Sequence, residues 1–197
     1  MQALVNTLPV QWLKGFDKLG GAMSKLKAIE TYYRGYRFRS RTEARAMVLL
    51  DGLGVPACYE LEGFVLPDGT YYLPDFYLPE QDAFLEIKPF IKFENTKKIR
   101  ELWKATGKAC LVMDSEFNFR IFDSKERLWN DPGPCGAECQ IYRCTKCHKV
   151  NFISLDNSYQ CLCCHRQDGD SYLGFCSELE SAIKAAKQAR FEFGENK

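Results

Sequence analysis

Ala83-Phe84-Leu85-Glu86-Ile87-Lys88 reads as a strand with one apolar and one charged face. Side chains alternate along a strand, so Leu85 and Ile87 share one side while Phe84, Glu86 and Lys88 share the other. Glu86 and Lys88 then stand about 7 Å apart on the same face. Upstream, residues 71–78 read as a second strand interrupted at Pro74, because proline withdraws a donor from the ladder. A turn over 79–82 would close the two into a hairpin and bring Asp75 beside Glu86.

Two carboxylates held that close repel unless a cation lies between them or one is protonated. A donor set made of oxygens suits Mg2+ or Mn2+, which take a few carboxylates and keep several waters. Lys88 beside such a cation can orient or help deprotonate an attacking water, or offset the charge that develops during attack on a phosphodiester.

Working outward, Ser40 or Thr42 is a good N-cap for a helix running to about Leu53, where Gly54 and Pro56 stop it. Within it Glu43 shares an inward stripe with Ala46, Met47 and Leu50. A glutamate among apolar neighbours is costly unless compensated; the helix N-terminus can do this in part, and a metal site at its rim can do it more fully. Tyr59, Leu61, Phe64 and Leu66 suggest one strand ahead of a Pro67-Asp68-Gly69 turn. A helix is expected over 93–106, a strand over 109–113 and another over 117–122. Helix, three strands, helix, strand implies an α/β fold, and the strand–helix–strand step favours a parallel pairing.

Three stretches carry a family likeness. They are Phe38-Arg39-Ser40-Arg41-Thr42-Glu43-Ala44-Arg45, Tyr72-Leu73-Pro74-Asp75-Phe76-Tyr77-Leu78-Pro79 and Phe84-Leu85-Glu86-Ile87-Lys88-Pro89. Together they resemble the PD-(D/E)XK nuclease superfamily, in particular the small nucleases of phages and mobile elements. Pro74-Asp75 stands at the PD, Glu86-Ile87-Lys88 at the (D/E)XK, and Glu43 where many members carry a glutamate on the first core helix. The likeness covers roughly residues 25–125, and the inferred element order agrees with that family's restriction-endonuclease-like αβββαβ core. It implies a divalent-metal-dependent endonuclease acting on DNA. Asp75 and Glu86 would be Mg2+ or Mn2+ ligands, Lys88 would assist the nucleophile, and Glu43 would bind or support a metal.

Eight of the ten cysteines fall between Cys135 and Cys176. Without an export signal, clustered cysteines point to metal before disulfides. Cys144-Thr-Lys-Cys147 and Cys161-Leu-Cys-Cys164, with thirteen residues between them, describe two knuckles of a tetrahedral structural zinc site. Cys163 in place of Cys164 would leave a one-residue spacer, which is poorer knuckle geometry. Four thiolates close the coordination sphere, so this zinc would not be catalytic. Cys135, Cys139, Cys163 and Cys176 have no assigned role at this level, and Cys58 and Cys110 read as ordinary core residues.

The net charge of +1 argues against binding by bulk charge, yet basic residues crowd two stretches. Lys25, Lys27, Arg34, Arg37, Arg39, Arg41 and Arg45 form one; Lys92, Lys97, Lys98, Arg100, Lys104 and Lys108 form the other. Either could track a phosphate backbone. The expected partner is nucleic acid, DNA before RNA, with a homodimer or a partner protein left open. No apolar run spans a bilayer and no signal peptide is evident, so a cytoplasmic protein is expected (host cytoplasm if phage-encoded). The sequence divides into an arm over 1–22, a nuclease core over 23–130, a zinc-ribbon-like module over 135–176 and a C-terminal helix within 177–197, with the break at Asn130-Asp131-Pro132-Gly133-Pro134. Lys146, Lys149 and Arg166 on the module could dock DNA, or the module could staple a subdomain that lacks its own core. Two other functions fit the same residues: a zinc-ribbon nucleic-acid-binding or adaptor protein, and a nuclease subunit active only within a larger complex.

Overall fold

The structure is a computed structural model, and it describes residues 28–123, 135–154, 161–165 and 173–191. The expected break at 130–134, the arm over 1–22 and Arg166 lie outside these residues. The fold is mixed α/β with a mostly antiparallel sheet and three helices among the described residues.

A small hairpin, β1 (Thr31–Tyr33) and β2 (Tyr36–Phe38), leads into α1 (Arg41–Leu53). Ser40 caps α1 by accepting the Glu43 N–H, and Gly54 ends it in the left-handed conformation at φ 67°. The stripe expected on α1 is buried: Glu43, Ala46, Met47 and Leu50 all face inward.

The strand expected across 59–66 is instead two short pieces, β3 (Cys58–Tyr59) and β4 (Phe64–Val65). Glu60 breaks it by adopting a left-handed φ of 47°. The strand expected over 71–78 is likewise split at Pro74 into β5 (Tyr71–Tyr72) and β6 (Phe76–Leu78). β4 and β5 pair only with each other, as a separate two-stranded ribbon, whereas β3 and β6 join the main sheet. β7 (Ala83–Ile87) pairs antiparallel with β6. After α2 (Phe93–Thr106), β8 (Ala109–Met113) pairs with β7 in parallel, as the intervening helix requires. β9 (Phe119–Phe122) turns back beside β8.

The sheet does not stop at the expected module boundary. β10 (Ala137–Cys144) pairs with β9, and β11 (Val150–Ser154) and β12 (Leu173–Gly174) both pair with β10. The cysteine segment is therefore joined to the core by hydrogen-bonded sheet. The last helix, α3 (Leu179–Gln188), falls within the expected 177–197, of which residues 192–197 lie outside the described residues. It is packed into the core against α1. Gly52 permits that approach, since a Cβ there would come within 2.8 Å of the Ala182 Cβ.

The alternation of β7 separates two cores. Leu85 and Ile87 join the cluster under α1 and α3, while Phe84 joins Ile99 and Leu102 of α2 on the other face. The main sheet also curls. β11 and β6 are separated by four strands in the order, yet buried Gln81 in the β6–β7 turn donates through Nε2 to the Val150 carbonyl at 2.9 Å. Beside it the Lys149 ammonium pairs with Glu80 at 2.9 Å. Among the described residues, no helix is long and apolar enough to cross a membrane.

Candidate active site and metal centre

Phe76 lies opposite Leu85 in the β6–β7 ladder, so Asp75, one step upstream, falls opposite Glu86. Pro74 ends the ladder at that point and frees Asp75 to bond with its side chain. Its Oδ2 accepts the Ile87 main-chain N–H at 2.7 Å, and its Oδ1 accepts Arg39 Nη2 at 2.6 Å. Glu86 is held at both oxygens: Tyr72 donates its hydroxyl to Oε2 at 2.7 Å, and the Lys88 ammonium pairs with Oε1. Glu43 accepts from Ser40 Oγ at 2.8 Å, from the Tyr59 hydroxyl at 2.7 Å and from the Arg39 main-chain N–H at 3.1 Å.

Arg39 ties these groups together. Besides Asp75 it pairs through Nε with Glu60 at 2.8 Å and approaches Glu43 to 4.0 Å. The left-handed turn at Glu60 that breaks the first expected strand thus leaves its carboxylate on Arg39.

All four residues expected from the sequence, Glu43, Asp75, Glu86 and Lys88, line one cleft of about 670 Å³, together with Arg39 and Tyr72. The three carboxylates are only 8%, 4% and 5% exposed, and charges so buried require compensation. Burial, then the Glu86 charge, pushes the Asp75 carboxyl up to about 8, against the pull of the Ile87 N–H and Arg39. Burial and the same Glu86 charge hold the Tyr72 phenol well above its ordinary range, so it stays a donor. Buried oxygens with mutually repelling charge are the type of donor that hard divalent cations take.

The acids share a cleft, but they are not drawn into one cage. Among the described residues, the four cysteines are the only group of three or more acidic, histidine or cysteine side chains whose donor atoms all lie within 4.8 Å of one another. Each carboxylate is instead held by its own phenol, cation or amide partners. Arg39, Tyr59 and Tyr72 complete the arrangement and were not among the residues singled out as catalytic. Arg39 lies inside a motif stretch, but nothing in the sequence signals that it pairs with Asp75, 36 positions away. The tyrosines read as ordinary strand aromatics.

Cys144, Cys147, Cys161 and Cys164 form a set that could hold a structural metal such as zinc. Cys144 and Cys164 sulfurs are 3.8 Å apart, and those of Cys147 and Cys161 are 3.7 Å apart. A tetrahedron of Zn–S bonds of about 2.3 Å has edges of about 3.8 Å, so the spacing matches. Cys163 is not part of the set; its thiol is directed to the Val150 carbonyl at 3.8 Å. His148 and His165 are not ligands in it either. Each sits just after a knuckle with φ near +58° and +57°, its N–H donating to the carbonyl of Cys144 or Cys161 at 2.8 Å. Burial pushes the Cys144 thiol up, but the N–H groups of Cys147 and Lys146 outweigh it and bring the thiol down to about 7. Cys139 and Cys176 belong to the main core and Cys110 to the smaller one, while Cys58 is half-buried. No family model and no curated protein matches the chain, so the geometry and the motif residues carry the functional argument.

Proposed function

We propose that the chain is a divalent-metal-dependent nuclease of the PD-(D/E)XK type, an endodeoxyribonuclease hydrolysing phosphodiester bonds of DNA, with a restriction-endonuclease-like core and a structural zinc. The observation that carries this reading is the opposition of Asp75 and Glu86 across β6 and β7, with Lys88 and Glu43 on the same cleft.

Asp75 and Glu86 would hold Mg2+ or Mn2+, with Glu43 binding or supporting a metal at the rim. The bound ion would supply an activated water and neutralise charge on the phosphate. Tyr72 fixes one oxygen of Glu86 and leaves the other to Lys88. Lys88, partly exposed at the cleft, can orient the attacking water and offset charge developing on the phosphate oxygens. Arg39 holds the buried charges of Asp75 and Glu43 in place from the solvent side.

In the same reading the zinc knuckle is a staple. Lys149 is engaged with Glu80 of the β6–β7 turn, which favours bracing of the acid-bearing hairpin over docking of DNA by that residue. Supercoiled plasmid incubated with purified protein and Mg2+ or Mn2+ tests the proposal. Nicking or linearisation should fall by about a hundredfold to a thousandfold in Glu86→Ala and Lys88→Ala, with the circular dichroism spectrum unchanged. Full cleavage by both variants would defeat the assignment.

A further inference from the structure

The β4–β5 ribbon has two dissimilar faces. Phe64 and Tyr72 turn inward: the Phe64 ring meets Phe84 edge-on at 5.2 Å, and Tyr72 donates to Glu86. Val65 and Tyr71, paired opposite each other, turn outward and are 62% and 82% exposed. A ribbon standing apart from the main sheet ordinarily places polar residues on its water face. Here that face is apolar and aromatic, and Tyr71 and Leu73 line the cleft that holds Glu86 and Lys88.

The other bank of the cleft is α2, which contributes Asn95 and Lys98 and opens with exposed Phe93. On the loop before it, the Lys92 ammonium lies 4.6 Å above the ring of Phe90, itself half exposed. The cleft lining thus sets the Tyr71 ring with Lys88 and Lys98, and with Glu94, while Phe90, Lys92 and Phe93 lie just outside it at the start of α2. The cations match a phosphate backbone, and the rings are surfaces on which bases can stack. A duplex keeps its base faces against one another and offers groove edges and phosphates. A ring as exposed as Tyr71 finds a planar partner only where bases are unstacked.

We infer that the cleft rim formed by Tyr71, Leu73 and the start of α2 binds unpaired nucleotides, so that the proposed nuclease takes single-stranded nucleic acid in preference to duplex. The inference rests on the nuclease reading for its chemistry, but its test reads binding.

Glu86→Gln protein, used so that bound strands stay uncut, is titrated by fluorescence anisotropy with a labelled oligo-dT, an oligo-rU of the same length and a duplex hairpin closed by a non-nucleotide linker. Both unpaired strands, or the one whose sugar the site accepts, should bind at least about tenfold more tightly than the hairpin. Adding Tyr71→Ala should weaken unpaired binding by about tenfold to a hundredfold and leave hairpin binding nearly unchanged, while Tyr71→Phe keeps the ring and the affinity. Equal or tighter hairpin binding, no binding to any strand, or an unpaired affinity indifferent to Tyr71→Ala would each overturn the inference. If the wild-type protein then still cleaves plasmid with Mg2+, the nuclease reading survives alone. Preference for unpaired strands with no metal-dependent cleavage of any substrate would remove the nuclease reading and leave the binding rim.

Discussion

Asp75 accepts the main-chain N–H of Ile87 at 2.7 Å, so the first acid of the cleft is bonded to the backbone of the strand that carries the second. The spacing between Asp75 and Glu86 is thereby fixed by the ladder as well as by side-chain preference. The charge conflict between them is built into the fold, and its effects can be measured.

The first concerns pH. Burial, then Glu86, raises the folded-state carboxyl of Asp75 from its ordinary 3.8 to about 8. Between those values the folded protein binds more protons than the unfolded chain, so stability falls as pH rises through the window. Metal-free protein should therefore melt at a lower temperature near pH 8 than near pH 5, and Asp75→Asn should flatten the slope. Added Mg2+ should raise Tm more at the higher pH, where the Asp75 carboxyl gives up its proton. A metal-free Tm that climbs across the window in the wild type and not in Asp75→Asn would contradict this account.

Tyr72 supplies the second. Its hydroxyl is the donor to the buried oxygen of Glu86, and hydrogen bonds to charged groups contribute about 1.5–3 kcal/mol. Tyr72→Phe should lower unfolding free energy by about that amount in urea titrations, and plasmid cleavage should drop with it. A loss confined to stability would mean that the orientation of Glu86 does not matter to the reaction.

The knuckle gives a third. Cys147→Ser or Cys161→Ser should lose the bound zinc counted by native mass spectrometry, whereas Cys163→Ser should keep it, because the Cys163 thiol turns to Val150. Strong chelators should lower Tm in the wild type and in Cys163→Ser alike. Retention of zinc in Cys161→Ser with its loss in Cys163→Ser would reassign the second knuckle.

A fourth lies where α1 crosses α3. Alanine at position 52 would gain about 1 kcal/mol of helix propensity, against an overpacking cost of about 1–3 kcal/mol. The close approach to Ala182 should win. Gly52→Ala is therefore expected to destabilise the wild type, and to do so less in the Ala182→Gly background, where only the 3.2 Å approach to the position-182 Cα remains. The same change in both backgrounds would show that the helices do not meet there.

Much of this architecture is legible from local rules. The face alternation of Ala83–Ile87, the capped helix ending at Gly54, and the paired CxxC knuckles are each set by neighbours close in the chain. What was not legible depends on distant groups. Glu60 leaves the strand conformation and its carboxylate meets Arg39; Arg39 in turn reaches Asp75. Those are tertiary contacts with no periodic signature. One signal was present and outweighed. Buried Ala137 and Cys139 alternate with exposed Glu138 and Gln140, as a strand requires, but the segment begins just after the Pro-Gly-Pro break and reads as part of the cysteine module. That alternation carries the sheet beyond the expected boundary and out to the knuckle.

The bond from Gln81 to Val150 joins positions 69 apart, whereas Asp75 and Ile87 are only twelve apart. During synthesis the acid-bearing hairpin leaves the ribosome well before Val150 does, so its ladder can close first and the strap across its turn can arrive only late. Contacts of long sequence separation are slow to form, because the intervening chain must be ordered before they gain anything. The brace on the far side of the two opposed acids thus cannot form until about 60 further residues have been made, which leaves it the later of the two contacts in any vectorial folding of the chain.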